Sequence, residues 1–209
     1  MINWIRKWFE RRNLEIYFNN KYPKRDLYYK RKEIDREYKI DLRNFIQDTD
    51  SKLPMFKDGS DDEKALSALK FVINNIEYTP DKNEYGMDEY WAYAYQTLYH
   101  KRGDCEDGAI LLNNILIKSG IPYWKLRLSC GFVDFAGNLI GHAYLNYYCE
   151  ETNKWVVLDW CYWPNILPIN ERIDYKNEQK YKEVWFSWNK YYCYSEGLNK
   201  EAKKLVNDK

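Results

Sequence analysis

The chain has 209 residues, with 33 Lys+Arg against 32 Asp+Glu and a formal net charge of +1. This length allows one domain with a sizeable core. The neutral balance argues against nucleic acid as a partner, because phosphate binding draws on a basic excess. Residues 1–46 differ in tone from the rest. "MINWIRKWFERR" predicts a helix with Ile2, Ile5, Trp8 and Phe9 on one side and basic residues on much of the other. "KYPKRDLYYKRKEIDREYK" is charged and tyrosine-rich. The segment reads as a helical extension packed on the domain, or as an arm for a protein partner or a membrane surface. Its acids (Glu10, Glu15, Asp26, Glu33, Asp35, Glu37, Asp41) dilute the basic character and weigh against the membrane.

Ser60 and Glu63 form a capping-box pattern ahead of "KALSALKFVINNI", whose Ala65, Leu66, Leu69, Val72, Ile73 and Ile76 fit a helical stripe. Pro80 and Gly86 break it. "MDEYWAYAYQTLYH" predicts a short helix, followed by a loop reaching Cys105. From Glu106 to Lys118 the chain reads as a mostly buried helix, stopped by Gly120 and Pro122. Strands follow in "WKLRLSCGF", "LIGHAYLNYYC", "KWVVLDWCYW" and "EVWFSWNKYYCY", the first two joined through "DFAGN" and the second pair through "EETN". Helices first and antiparallel strands after predict an α+β domain with a helix packed on the sheet.

The chemistry concentrates in "RGDCEDGAILL". Cys105 stands at a predicted helix N-terminus, where free N–H groups and partial positive charge favour a thiolate. Asp104, Glu106 and Asp107 oppose that shift, so a nearby cation is required, and a histidine is the natural candidate. His142 lies in mid-strand between Gly141 and Ala143, whose small size permits close approach. His100 reads as surface. Asp159 closes the apolar run "VVLD", where a carboxylate needs a partner, and an imidazole would be oriented by it. Taken singly, each residue has an ordinary structural explanation. Together, in the order Cys, His, Asp on helix, strand and strand, they fit a nucleophile, a base and its orienter.

The five cysteines are odd in number and include no C-x-x-C pair. With two histidines in the chain, no zinc site of ordinary composition is expected, and a reducing compartment is. No cofactor is expected. Calcium is not expected to be required, since no D-x-[DN]-x-[DN]-G loop occurs. No secretory signal is read near Met1, and no apolar run approaches the roughly 20 residues that span a bilayer.

"RGDCEDGA", "GHAY" and "WVVLDW" resemble the three catalytic blocks of the transglutaminase-like superfamily. Within it, the sequence is most similar to bacterial and phage transglutaminase-like cysteine proteinases, over residues 65–195 and not over 1–50. The resemblance implies a papain-like fold, with Cys105 as nucleophile, His142 as general base and Asp159 as its orienter. It also implies an upstream side-chain donor to the oxyanion beside the backbone N–H of Cys105, for which Gln96 and Trp91 are candidates. The expected organisation is an extension over 1–50 and a catalytic domain over 51–209. The expected function is a thiol-dependent hydrolase of protein or peptide amides working through a thioester. The alternatives are transglutaminase-type transfer to an amine, or a phage or bacterial structural or binding module on the same fold. A cytoplasmic setting, or association with a virion, is expected. Strand alternation carries a geometric expectation of its own. A two- or four-residue loop between the strands of His142 and Asp159 keeps both on one face of the sheet, and an odd loop separates them.

Overall fold

In the computed structural model, residues 2–33, 36–47 and 51–208 are described. Helix α1 spans Ile2–Lys21. Strands β1 (Lys24–Arg25), β2 (Leu27–Glu33) and β3 (Arg36–Asp41) follow. Next come α2 (Asp61–Asn75), β4 (Glu77–Tyr78), α3 (Asp81–Glu84), α4 (Ala94–His100), β5 (Arg102–Gly103) and α5 (Cys105–Lys118). Long strands β6 (Leu126–Phe135), β7 (Asn138–Cys149) and β8 (Lys154–Leu158) then run into β9 (Tyr181–Trp188), β10 (Cys193–Tyr194), α6 (Ala202–Leu205) and β11 (Val206–Asp208).

The main sheet has the order β1-β10-β9-β6-β7-β8, with antiparallel neighbours throughout. Helix α5 packs on β7 and against α2 and α4. Its Ala109, Ile110, Leu111, Leu112, Ile115 and Leu116 are fully buried. Because α5 is apolar on almost every side, it can only be an interior helix, and this fixes where its first residue, Cys105, must sit. The capping box of α2 forms as the spacing predicts. The Glu63 N–H donates to Ser60 Oγ at 3.2 Å, and the Ser60 N–H donates to Glu63 Oε2 at 2.7 Å.

Two elements depart from the sequence reading. The stretch 183–194 is a hairpin and not one strand, because Asn189 Oδ1 accepts from the N–H groups of Tyr191 and Tyr192 at 3.0 and 2.9 Å and turns the chain. The expected helical extension is α-helical only in α1, with a 3-10 turn at Leu42–Phe45. From Lys24 the segment is β structure joined to the domain. β1 pairs with β10 and β2 with β11, and fully buried Tyr29 stacks on Trp91 at 4.7 Å in the main core. Alternation hid this, because only Leu27, Tyr29 and Arg31 of β2 turn inward among charged neighbours.

Lys125 ties three segments together. Its side chain is 3 % exposed, with its ammonium 3.1 Å from Asp61, 3.2 Å from Glu150 and 3.8 Å from Glu10, so α1, α2 and the β7–β8 turn converge on one cation. Burial alone would push its pKa down, and the three acids more than reverse that.

Gly131 in β6 stands opposite His142 in β7, at a register shift against β9. A Cβ there would lie 1.8 Å from the Glu183 carbonyl oxygen. Gly131→Ala should therefore cost about 3 kcal/mol or more in denaturant unfolding; a loss under about 1 kcal/mol would show that the two strands yield easily.

Candidate active site

Cys105 is the first residue of α5, with Asp104 preceding it as the cap position. Its backbone N–H is one of those a helix leaves unbonded at its start. Cys105 and His142 open onto one cavity of about 350 Å³ with walls that include Tyr78, Trp91, Phe132 and Trp185. The thiol donates to Glu106 Oε2 at 3.3 Å. Burial, then the charge of Asp104, pushes the thiol pKa well up, while the backbone N–H of Ala143, next to His142, acts in the opposite direction.

The β7–β8 turn is a four-residue loop, with Cys149 paired to Lys154 and Leu145 to Leu158. That even count keeps His142 and Asp159 on one face, as one of the two expected registers requires. His142 Nε2 and Asp159 Oδ2 are 2.8 Å apart, and both side chains are buried. Asp159 is held on every side. Its Oδ2 also accepts from the Tyr181 hydroxyl at 2.9 Å, and its Oδ1 accepts from the N–H groups of Cys161 and Tyr162 at 3.0 and 3.1 Å. Burial would raise this carboxyl, yet the hydrogen bond and charge of His142, with the other donors, hold its pKa below the ordinary value. The other imidazole nitrogen, Nδ1, is buried without a hydrogen-bond partner among the described residues. Tyr162 stacks on the imidazole at 4.1 Å and 6°, and its ring lies 6.0 Å from that of Tyr78 in the cavity wall.

Of the two upstream donor candidates, Trp91 has its donor engaged elsewhere and Gln96 stands off the cavity wall. Trp91 lines the cavity, but its indole N–H donates to Glu89 Oε1 at 2.6 Å and its ring is stacked between Tyr29 and Trp188. Gln96 accepts from the Tyr93 N–H at 2.9 Å at the start of α4 and is not part of the cavity wall. His100 is exposed, 3.5 Å from Glu84, as a surface residue should be.

Sequence reasoning missed two features. One is Trp160, whose indole N–H donates to the Cys105 carbonyl at 3.1 Å and whose ring lies where a Cβ on Gly108 would sit, 2.1 Å away. Trp160 directly follows Asp159, so one dipeptide touches both the imidazole and the start of α5. The signal was present in "CEDG", a glycine one turn after the cysteine. The other feature is a carboxylate cluster. One oxygen from each of Asp81, Glu89 and Glu106 lies within 4.8 Å of the others, as do those of Asp81, Asp104 and Asp107. Asp104 Oδ1, Glu106 Oε1, Asp107 Oδ2 and Asp81 Oδ1 are buried without hydrogen-bond partners among the described residues. Burial, then the charge of Asp104, pushes Asp81 up to about 8, and the same two causes raise Glu106 and Asp107.

The Gly108–Trp160 contact makes a specific expectation. Gly108→Ala should destabilise the fold by about 2–4 kcal/mol. Adding Trp160→Ala should recover part of that loss, so the two changes are non-additive in a denaturant double-mutant cycle. Strict additivity would mean the ring and the glycine do not constrain each other.

Residues 47–160 match the family model for bacterial transglutaminase-like cysteine proteinase BTLCP. No curated protein matches the chain. Among solved structures, the chain is similar to LapG of Legionella pneumophila in three states. The EGTA-treated form shares 23 % identity over 73 % of this chain and 74 % of that one, with a TM-score of 0.50. A further LapG structure shares 20 % over 70 % and 75 %, with a TM-score of 0.52, and the calcium-bound form 20 % over 71 % and 80 %, at 0.50. These likenesses show the fold: a helix carrying the cysteine, laid on an antiparallel sheet. With more than half of its length inside the family model, and Cys105, His142 and Asp159 all within the matched span, the chain belongs to the bacterial transglutaminase-like cysteine proteinases.

Proposed function

We propose that the protein is a peptidase in which Cys105 is the nucleophile, His142 the general base and acid, and Asp159 the group that orients it. The observation that supports this most is the imidazole itself. Nε2 is committed to Asp159 at 2.8 Å, while Nδ1 is buried, unbonded and in the wall of the cavity that holds the thiol. With the proton on Nε2, Nδ1 is a free base. It takes the thiol proton as Sγ bonds to the substrate carbonyl carbon. The backbone N–H of Cys105 faces the negative charge that develops on the carbonyl oxygen. The imidazolium then protonates the amine as the C–N bond breaks, leaving a thioester. Water, deprotonated at Nδ1, attacks the thioester; the carboxylic acid leaves and the proton returns to the thiol. Burial, then the charge of Asp104, holds the thiol up, which favours removal of its proton in step with attack.

LapG has been solved calcium-bound and EGTA-treated. The carboxylate cluster beside Cys105 suits a hard divalent cation, which takes several oxygen ligands and would meet the buried, unpartnered oxygens of Asp81, Asp104, Glu106 and Asp107. When bound, such an ion supplies positive charge that offsets the acids raising the thiol. These oxygens come from two separate segments, residue 81 and residues 104–107, so no contiguous D-x-[DN]-x-[DN]-G loop is needed to gather them.

Cys105→Ala should abolish hydrolysis of peptide substrates, and His142→Ala should lower kcat/KM by about 10³-fold or more. Asp159→Asn should lose less, all with unchanged circular dichroism. Turnover surviving in Cys105→Ala would remove the thiol mechanism. The pH dependence of stability tests the carboxylate cluster. A carboxyl raised on folding binds its proton more tightly when folded. Its contribution is therefore greatest below the ordinary carboxylate range and is lost as pH rises through about 8, the value for Asp81. The urea midpoint in EGTA should fall between pH 5 and pH 8, and calcium at pH 8 should restore it in the wild type and not in Glu106→Gln. A midpoint indifferent to calcium would dismiss the ion.

A further inference from the structure

Helix α1 is mounted with its polar side inward. Leu14 is buried in a cluster with Trp155, Glu15 accepts from the Tyr123 hydroxyl at 3.2 Å and from Arg11 at 3.3 Å, and Glu10 faces the buried Lys125. Arg11 lies over the Tyr123 ring. Opposite Leu14, at helical spacing, runs a stripe of Ile5, Trp8, Phe9, Arg12 and Ile16. Its apolar members are exposed by 44, 44, 52 and 39 % respectively, on a helix that core burial would normally turn the other way. Arg12 lies over the Trp8 ring at 5.5 Å, and Arg6, beside the stripe, is 77 % exposed and 3.8 Å from the half-exposed Glu150. Ile2 was expected to join this face; its side chain lies outside the described residues.

The charge decides what covers this stripe. The helix carries Arg6, Lys7, Arg11, Arg12 and Lys21 against Glu10 and Glu15. In sequence, those acids weigh against a membrane; in the fold, both are turned to the body and occupied there, leaving the outer side cationic and aromatic. A second copy meeting the same stripe about a two-fold axis would set Arg12 against Arg12 with no acid to separate them. Anionic headgroups would instead meet these arginines, while tryptophan, phenylalanine and isoleucine reach the acyl boundary.

We propose that the outward face of α1 is a docking surface for an anionic membrane, with Ile5, Trp8, Phe9 and Ile16 in the interface and Arg6 and Arg12 among the phosphates. No membrane-spanning segment is implied, since no described helix is long and apolar enough to cross. The surface is independent of the peptidase chemistry, and inactive Cys105→Ala protein should bind equally well.

The test uses the full chain with vesicles of phosphatidylcholine alone or with about 30 % phosphatidylglycerol. Co-sedimentation should be at least about tenfold greater with the anionic vesicles and should weaken as salt rises from about 0.1 to 0.5 M. Trp8→Ser with Phe9→Ser should reduce it by about tenfold or more without moving the thermal midpoint, because both side chains are already in water. Should that pair unfold, Ile5→Ser with Ile16→Ser makes the same test. Equal binding to neutral and anionic vesicles, no binding to either, or unchanged binding in a folded stripe variant would overturn the proposal. So would a two-copy mass in sedimentation equilibrium that falls to one copy in the stripe variant without any vesicle binding, which would assign the face to self-association.

Discussion

Asp159 is the point on which the rest of the site turns. A buried carboxylate is tolerated only when its lone pairs are filled, and here four donors fill them: an imidazole from β7, a phenol from β9 and two backbone N–H groups just past β8. Three parts of the sheet end are thereby fixed to one small group. The next residue, Trp160, extends that constraint to the helix by bonding to the carbonyl of Cys105. The thiol and the imidazole come from segments far apart in sequence, yet two neighbouring residues, Asp159 and Trp160, touch the imidazole and the start of α5, adding a local tie to the packing of the buried helix.

What was legible in the sequence was local or obeyed parity. The Ser60–Glu63 box needs only three-residue spacing, and the shared face of His142 and Asp159 needs only an even turn. What was not legible depends on what arrives from elsewhere. The indole N–H of Trp91 is an open donor in sequence and a closed one in the fold, because Glu89 reaches it. Asp104, Glu106 and Asp107 look like ordinary acids of a first helical turn until Asp81 and Glu89 are brought against them from the preceding loop. The strands of residues 24–41 were masked because charge sits on both faces of the pattern, and three inward residues are too few to show a period of two.

The acids and the thiol pose one electrostatic problem. Burial, then the charge of Asp104, raises Glu106, Asp107 and the cysteine alike, so the arrangement costs stability while the acids remain ionised and unpartnered. Structures tolerate such clusters where function needs them, and this one lies directly beside the cavity that Cys105 and His142 share. The helix start contributes a fixed partial charge of the right sign, but it acts on one end of the cluster and is outweighed by burial.

The cavity wall opposite the sheet includes Glu201, Lys204 and Leu205, in and beside α6, and β11 directly after it pairs with β2. In order of synthesis, that wall appears about 100 residues after Cys105, or roughly 5–20 s later at ribosomal speeds. Until then the thiol would face open solvent on that side, and β2 would lack a neighbour. A nascent chain can therefore assemble its sheet and its imidazole–carboxylate pair well before the α6 side of the cavity exists, and the full wall around the thiol is present only once residues 201–205 have been made.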